Sequence, residues 1–223
     1  MPASPTIHPR PFPRRERHIG RFIRLEPLAD AHTADLWAAA ADADESWRYL
    51  RYGPFRMKEE MALHIAGLAA CADQPFFAII PASTGQASGW VSYCDIFPAH
   101  ASLEIGSIWL SPLVQRTPVL TETMYLLLRH AFDDLDYQRV VWRCDGENAA
   151  SVKAAERLGF VPEGTWRSSY IAKGRRCDAR WYSLLAAEWP ARRAALVAWL
   201  GIDNFDGEGR ALSRLLRPGG LTR

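Results

Sequence analysis

Three groups of residues in this chain have the types and spacing to do chemistry. Asn148, Ser151 and Ala155 fall at i, i+3 and i+7, so a helix here presents an amide and a hydroxyl on one face. Asn148 suits the N-cap of that helix, and Gly159 suits the position just past its end. Glu104 lies in the strand-like run Leu103-Glu104-Ile105-Gly106, where period-two alternation puts it on one face with Gly106, Ile108 and Leu110. A carboxylate in such company is a proton acceptor, half of a structural ion pair, or an edge group facing water, and the spacing leaves all three open. The stretch from Trp47 to Phe55 interleaves aromatic and basic residues, and it reads equally as a pocket lining or as core plugs.

These residues need elements to hold them. The alternating run Arg21 to Leu25 predicts a first strand ending near Pro27. Asp30 is expected to cap a helix running to about Ala43, with Leu36 and Trp37 inward. A second helix is expected over about Lys58 to Ala72, then a strand over Phe76 to Ile80. The turn Thr84-Gly85-Gln86 leads into a strand over Gly89 to Ile96. After the Glu104 strand, Leu120, Met124, Leu127, Ala131 and Leu135 keep one apolar stripe on a long helix. A strand over Arg139 to Cys144 precedes the Asn148 helix, strands near 164–171 and 177–185 follow it, and an Arg/Ala-rich helix closes at Leu200.

Composition narrows the classes. The 223 residues, 48% of them hydrophobic and nine of them Trp, suit one α/β domain over 19–202. It is flanked by a flexible basic arm at 1–18 and a flexible tail at 203–223, with no internal repeat. A net charge of +2 with near-balanced acids and bases argues against a dedicated nucleic-acid binder, although the arm is locally basic. The four cysteines are widely spaced with no C-x-x-C pair, which argues against a disulfide framework or a metal site. No apolar run is long enough for a membrane span or an export signal, so a cytoplasmic setting is expected.

In residue types, spacing and element order the chain resembles the GNAT superfamily of N-acetyltransferases, most closely its RimJ/RimL-like branch. The resemblance covers roughly residues 20–190, with its specific motifs between 103 and 160. It implies a mixed, mostly antiparallel central sheet with helices on both faces, and acetyl-CoA as co-substrate for direct acetylation of a primary amine on a small molecule or a protein N-terminus. On this reading Glu104 is the base, Ser151 lies near the sulfur and Asn148 near the pantetheine arm. Leu110, Gln115, Arg116, Thr117, Val119, Thr121, Lys153 and Arg157 complete the acyl-CoA contacts, the last two from the exposed side of their helix. Trp47, Tyr49 and Tyr52 line the acceptor side, and no metal is implied. Asp95 and His100 are further candidates whose better reading is a surface loop.

Two departures stand out. The family's phosphate loop reads Gln/Arg-x-x-Gly-x-Gly/Ala; Gln115 fits its first position, but Pro118 and Leu120 replace the small residues, and Arg116 is the expected compensation. Other branches carry a tyrosine acid four residues after the Ser151 position, where this chain has Ala155. The alternative reading is therefore a non-catalytic acyl-CoA-binding or regulatory module of the same fold. A weaker one uses the basic arm to dock nucleic acid. The chain is expected as a monomer or a homodimer.

Overall fold

The computed structural model describes residues 8–215. An eight-stranded sheet carries them, built from β1 (His18–Ile19), β2 (Ile23–Pro27), β3 (Phe76–Pro81), β4 (Gly89–Phe97), β5 (Ser102–Leu110), β6 (Arg139–Asp145), β7 (Val161–Ala172) and β8 (Arg175–Leu185). The spatial order is β1-β2-β3-β4-β5-β6-β8-β7. Every neighbouring pair is antiparallel except β5 and β6. Their parallel pairing needs a crossover, supplied by helix α3 (Pro118–Arg129).

The other helices are α1 (Thr33–Ala39), α2 (Lys58–Ala70), α4 (Ala149–Leu158) and α5 (Trp189–Trp199). Two apolar cores result, one per sheet face. Leu36, Met61 and Ile65 of α1 and α2 pack on Ala78, Ile80, Trp90 and Trp109. Met124, Leu127, Ala155, Leu158 and Leu196 of the other three helices pack on Ile79, Val91, Leu103, Ile105, Val140 and Trp142. The fold expected from the sequence is present.

Some boundaries differ for identifiable reasons. Asp30 caps nothing: it opens a 3-10 turn over Asp30–His32, and the Ala29 N–H donates to His32 Nδ1 at 3.1 Å. α1 stops at Ala39 instead of about Ala43, because the chain turns to bury Trp47 from a second 3-10 turn. The α3 stripe continues, but its last turn, His130–Asp134, is π-helical, one residue wider than an α turn.

Of the arm, residues from His8 onward lie on the domain. Arg10 pairs with Asp136 at 2.8 Å, Tyr137 Oη donates to the Pro11 carbonyl at 3.1 Å, and Arg15 bonds the carbonyls of Ala69 and Cys71. Of the tail, Phe205 packs on Phe22 with ring centroids 4.7 Å apart, and Trp199 Nε1 donates to the Ser213 carbonyl at 3.0 Å. Residues 1–7 and 216–223, the remainder of both expected flexible ends, lie outside the described residues.

Glu122 fastens α3 to the sheet. Its buried carboxylate accepts from the N–H groups of Arg21 (2.8 Å), Phe22 (2.6 Å) and Ile23 (2.8 Å). A Cβ on Gly20 would collide with it, so the chain must be bare there. Glu122→Ala takes the acceptor from those N–H donors, of which Ile23's is buried, and hydrogen bonds to a charged group are individually worth about 1.5–3 kcal/mol. The expected loss is about 3 kcal/mol or more in urea unfolding.

Candidate active site

The sheet splits at its centre. β5 and β6 pair only from Ser102↔Arg139 to Glu104↔Val141, yet β5 continues to Leu110 and β6 to Asp145. β5 stays bound to β4 on one side and β6 to β8 on the other, so the strands part beyond Glu104 into two half-sheets. The facing backbone edges have lost their ladder partners, and such groups require another. A bulge at Ser107, with φ of 51°, turns β5 at this point. Gln74 Nε2 pins it by donating to Ser92 Oγ and Ser107 Oγ, both at 2.9 Å, while Ser92 Oγ donates to the Gly106 carbonyl at 3.2 Å.

Glu104 stands where the split begins and is 4% exposed. Its Oε2 lies 3.3 Å from Arg143 Nη2, and Asp95 Oδ2 lies 3.0 Å from the same nitrogen. The Arg143 guanidinium also covers the Trp181 ring at 5.0 Å. Burial pushes the Glu104 carboxyl up to about 7; Arg143 pulls it down, and Asp95 raises it again. In a carboxylate serving chiefly as an ion-pair partner the cation would win, whereas here burial does. The pair exists, and burial still holds the carboxyl near neutral pH. Asp95, expected on a surface loop, is exposed but reaches into this cluster; His100 stays on a surface turn beside Phe97.

α4 lies across the opposite face. Glu104 and Arg143 point to the face that carries α1 and α2, while Trp142 and Cys144 of β6 point to the core under α3, α4 and α5. Ser151 Oγ accepts from Trp142 Nε1 at 3.0 Å. Asn148 is the N-cap, its Oδ1 accepting from the Ser151 N–H at 3.0 Å, and Gly159 terminates the helix at φ of 92° against Arg192. Lys153 is exposed. Arg157 is not: its Nη1 donates to Thr121 Oγ1 at 3.0 Å, so both residues join α4 to α3 instead of facing solvent. The helical spacing gave Arg157 the wrong side because α3 covers that edge of α4.

The loop before α3 exposes Gln115, Arg116 and Thr117. Gln115 Nε2 donates to the Leu110 carbonyl at 3.1 Å, tying the loop to the end of β5. Thr117 is the N-cap: its Oγ1 donates to the Val114 carbonyl at 2.7 Å and accepts from the Val119 N–H at 3.3 Å. Pro118 occupies the first helical position, where a missing N–H costs nothing. Arg116 has φ of 62°, a conformation usually left to glycine. Val119 is buried and Leu110 and Leu120 pack on the core, so these three offer the loop only backbone. A cavity of about 440 Å³ touches the loop at Thr117, Pro118 and Val119, but none of Glu104, Asn148 or Ser151 borders it.

The three aromatic candidates divide. Trp47 is 1% exposed and stacks on Trp109 with centroids 4.3 Å apart, which makes it a core plug. Tyr52 Oη accepts from Trp90 Nε1 at 3.1 Å, and burial pushes its hydroxyl up to about 12. Tyr49 Oη donates to the Glu147 carbonyl at 3.1 Å, linking the loop after α1 to the loop before α4. The tip of the β7–β8 hairpin closes the same region: Lys173 Nζ donates to the Trp47 carbonyl at 2.7 Å, and Arg175 Nη1 lies 3.2 Å from Glu147.

Comparison with known proteins matches residues 23–161, more than half of the chain, to the acetyltransferase (GNAT) domain. A GCN5-related N-acetyltransferase from Brucella melitensis is 39% identical, covers 93% of this chain and 95% of its own, and superposes with a TM-score of 0.90. A GNAT-family structure from Chromobacterium violaceum ATCC 12472 is 34% identical over 85% of this chain and 96% of its own, with a TM-score of 0.78. A Bacillus subtilis (strain 168) protein named "Putative ribosomal N-acetyltransferase YdaF" is 28% identical over 109 residues, 49% of this chain and 59% of that protein. The match thus spans less than two thirds of that relative. The element order, the sheet split at Glu104 and these matches agree: the chain belongs to the GNAT family of N-acetyltransferases.

Proposed function

We propose that this chain transfers an acetyl group from acetyl-CoA directly to a primary amine, on a small molecule or a protein N-terminus, in a cytoplasmic setting. The observation that carries the reading is the buried Glu104 carboxylate, pushed up to about 7, at the mouth of the sheet split. Acetyl-CoA suits this site because the open backbone edge of β5 offers hydrogen bonds to an extended amide chain. The exposed Gln115–Thr117 loop at the start of α3 offers N–H groups and a guanidinium to phosphates, and Lys153 offers a further cation.

Glu104, ionised above about 7, takes a proton from the acceptor ammonium, directly or through one water. The freed amine attacks the thioester carbonyl, and β5 N–H groups past Glu104 face the developing oxyanion. The C–S bond then breaks, and the second proton, which the attacking nitrogen must lose to become an amide, passes to the departing thiolate. Trp142 N–H can only donate, so it occupies a lone pair of Ser151 Oγ, and the hydroxyl, which also contacts Cys144, can turn its hydrogen toward the sulfur and relay that proton. Base and thiol donor sit on opposite sheet faces, which lets acceptor and thioester meet through the split.

Calorimetry of CoA binding and amine-dependent thiol release test this together. Arg116→Ala should weaken CoA by about 1.5–3 kcal/mol, with dephospho-CoA losing as much, because charge-assisted hydrogen bonds have that size. An unchanged affinity would return Arg116 to the solvated surface. Ser151→Ala should fold normally and lower kcat by about tenfold with little change in KM; full activity would leave protonation to water. Tight acetyl-CoA binding with no thiol release on any amine would favour the non-catalytic module, for which Ala155 in place of a tyrosine acid speaks.

A further inference from the structure

Two histidines lie side by side at the end of α3 remote from the Gln115–Thr117 loop. His18 of β1 and His130 of the π turn are 5% and 4% exposed, with ring centroids 4.8 Å apart. The Nε2 atoms of both are shut off from solvent and have no hydrogen-bond partner among the described residues. Two orphaned imidazole nitrogens in one place call for an occupant. Glu16 completes the group: one ligand atom from each of Glu16, His18 and His130 falls within 4.8 Å of the others. Asp134 Oδ2 sits 3.0 Å from His130 Nδ1 and fixes that ring, and Glu16 Oε1 is 3.5 Å from the same nitrogen.

The local fold builds this arrangement. The wide turn over His130–Asp134 bonds the Leu135 N–H to the His130 carbonyl and sets Asp134 against the His130 ring. β1 pairs with β2 and holds His18, and Glu16 is two residues earlier on the arm. Phe77 and Tyr93 wall the rings from the core side. A buried water is the competing occupant, since it too needs polar partners. Two half-exposed carboxylates, whose charge exceeds that of the neighbouring Arg129, add a negative field that favours a cation over a neutral water. The C-terminal end of α3 also favours a cation.

We propose that Glu16, His18 and His130, with Asp134 orienting the His130 ring, bind a divalent transition ion of the Zn2+ class. Imidazole nitrogen with carboxylate oxygen selects such an ion over Mg2+ or Ca2+. Tetrahedral ligands at about 2.1 Å stand about 3.4 Å apart, so a bound ion would draw the three ligand atoms closer than the 4.8 Å within which they lie. The role is structural. The twelve residues of α3 put the cluster about 18 Å from the cofactor loop, and the ion fastens the N-terminal arm to the end of that helix.

The test uses the tag-free full chain, stripped with chelator and titrated with Zn2+ by calorimetry and with Co2+ by visible absorption. One equivalent should bind, with cobalt d–d bands, no thiolate charge-transfer band from the four cysteines, and a rise in Tm on adding Zn2+. Trypsin cleavage after Arg14, Arg15 or Arg17 should slow. Glu16→Gln, at an exposed side chain, should weaken binding by about tenfold or more while leaving the metal-free Tm unchanged. His18→Phe should abolish binding; if it fails to fold, Glu16→Gln decides alone. The proposal is overturned by the absence of stoichiometric binding, by a thiolate band, or by an affinity that Glu16→Gln does not change.

Discussion

Glu104→Gln should lower turnover by about 100-fold or more at pH 8 while acetyl-CoA affinity stays near that of the wild type, because the amide keeps the shape and loses only the proton acceptor. The same substitution should make the protein more stable. In the folded state the carboxyl titrates near 7, against an ordinary 4.5, so the native form binds the extra proton between those values. Stability from this group is complete below about pH 4.5 and is lost as pH rises through 7, a difference of about 3 kcal/mol. The substituted amide has no charge to bury, so the variant should gain up to that amount over wild type at pH 8 and little at pH 4. Urea unfolding at both pH values measures it. A large loss of stability at pH 8 would instead assign Glu104 to a structural pair with Arg143.

Arg143→Gln should move the pH–rate profile. Arg143 is the group that pulls the Glu104 carboxyl down against burial, so removing it lets that carboxyl titrate higher. The rising limb of kcat/KM should shift from near pH 7 toward higher pH, with activity about tenfold lower at pH 7 and largely restored at pH 9. Arg143→Lys should lie between the two profiles. A fall in rate equal at every pH would make Arg143 an acceptor contact or a packing group covering Trp181, not a tuner of the base.

The sequence made the helix and strand order legible because the apolar periods are strong: the α3 stripe, the alternation about Glu104 and the Asn148-to-Gly159 frame each recur in the structure. What it hid lies between distant segments. Arg143 meets Glu104 only because β5 and β6 pair in parallel, and no local pattern announces that register. Trp142 Nε1 on Ser151, Gln74 on the Ser107 bulge and Glu122 on three N–H groups at the start of β2 are likewise contacts across the chain. Trp47 read equally as a pocket aromatic or a core plug because composition cannot tell the two apart; its burial against Trp109 decides it. Glu16, His18 and His130 likewise come together from the arm, β1 and the π turn, and no local spacing announces that cluster.

The most direct measurement of the central claim is intact-mass spectrometry of an amine panel, including peptides with free N-termini, incubated with the purified chain and acetyl-CoA from pH 6 to 9. One acetyl group should be gained on a primary amine, with one CoA thiol released per acetyl and a rate that rises through about pH 7 and falls about 100-fold or more in Glu104→Gln. Acetylation by Glu104→Gln at the wild-type rate across that range would contradict it.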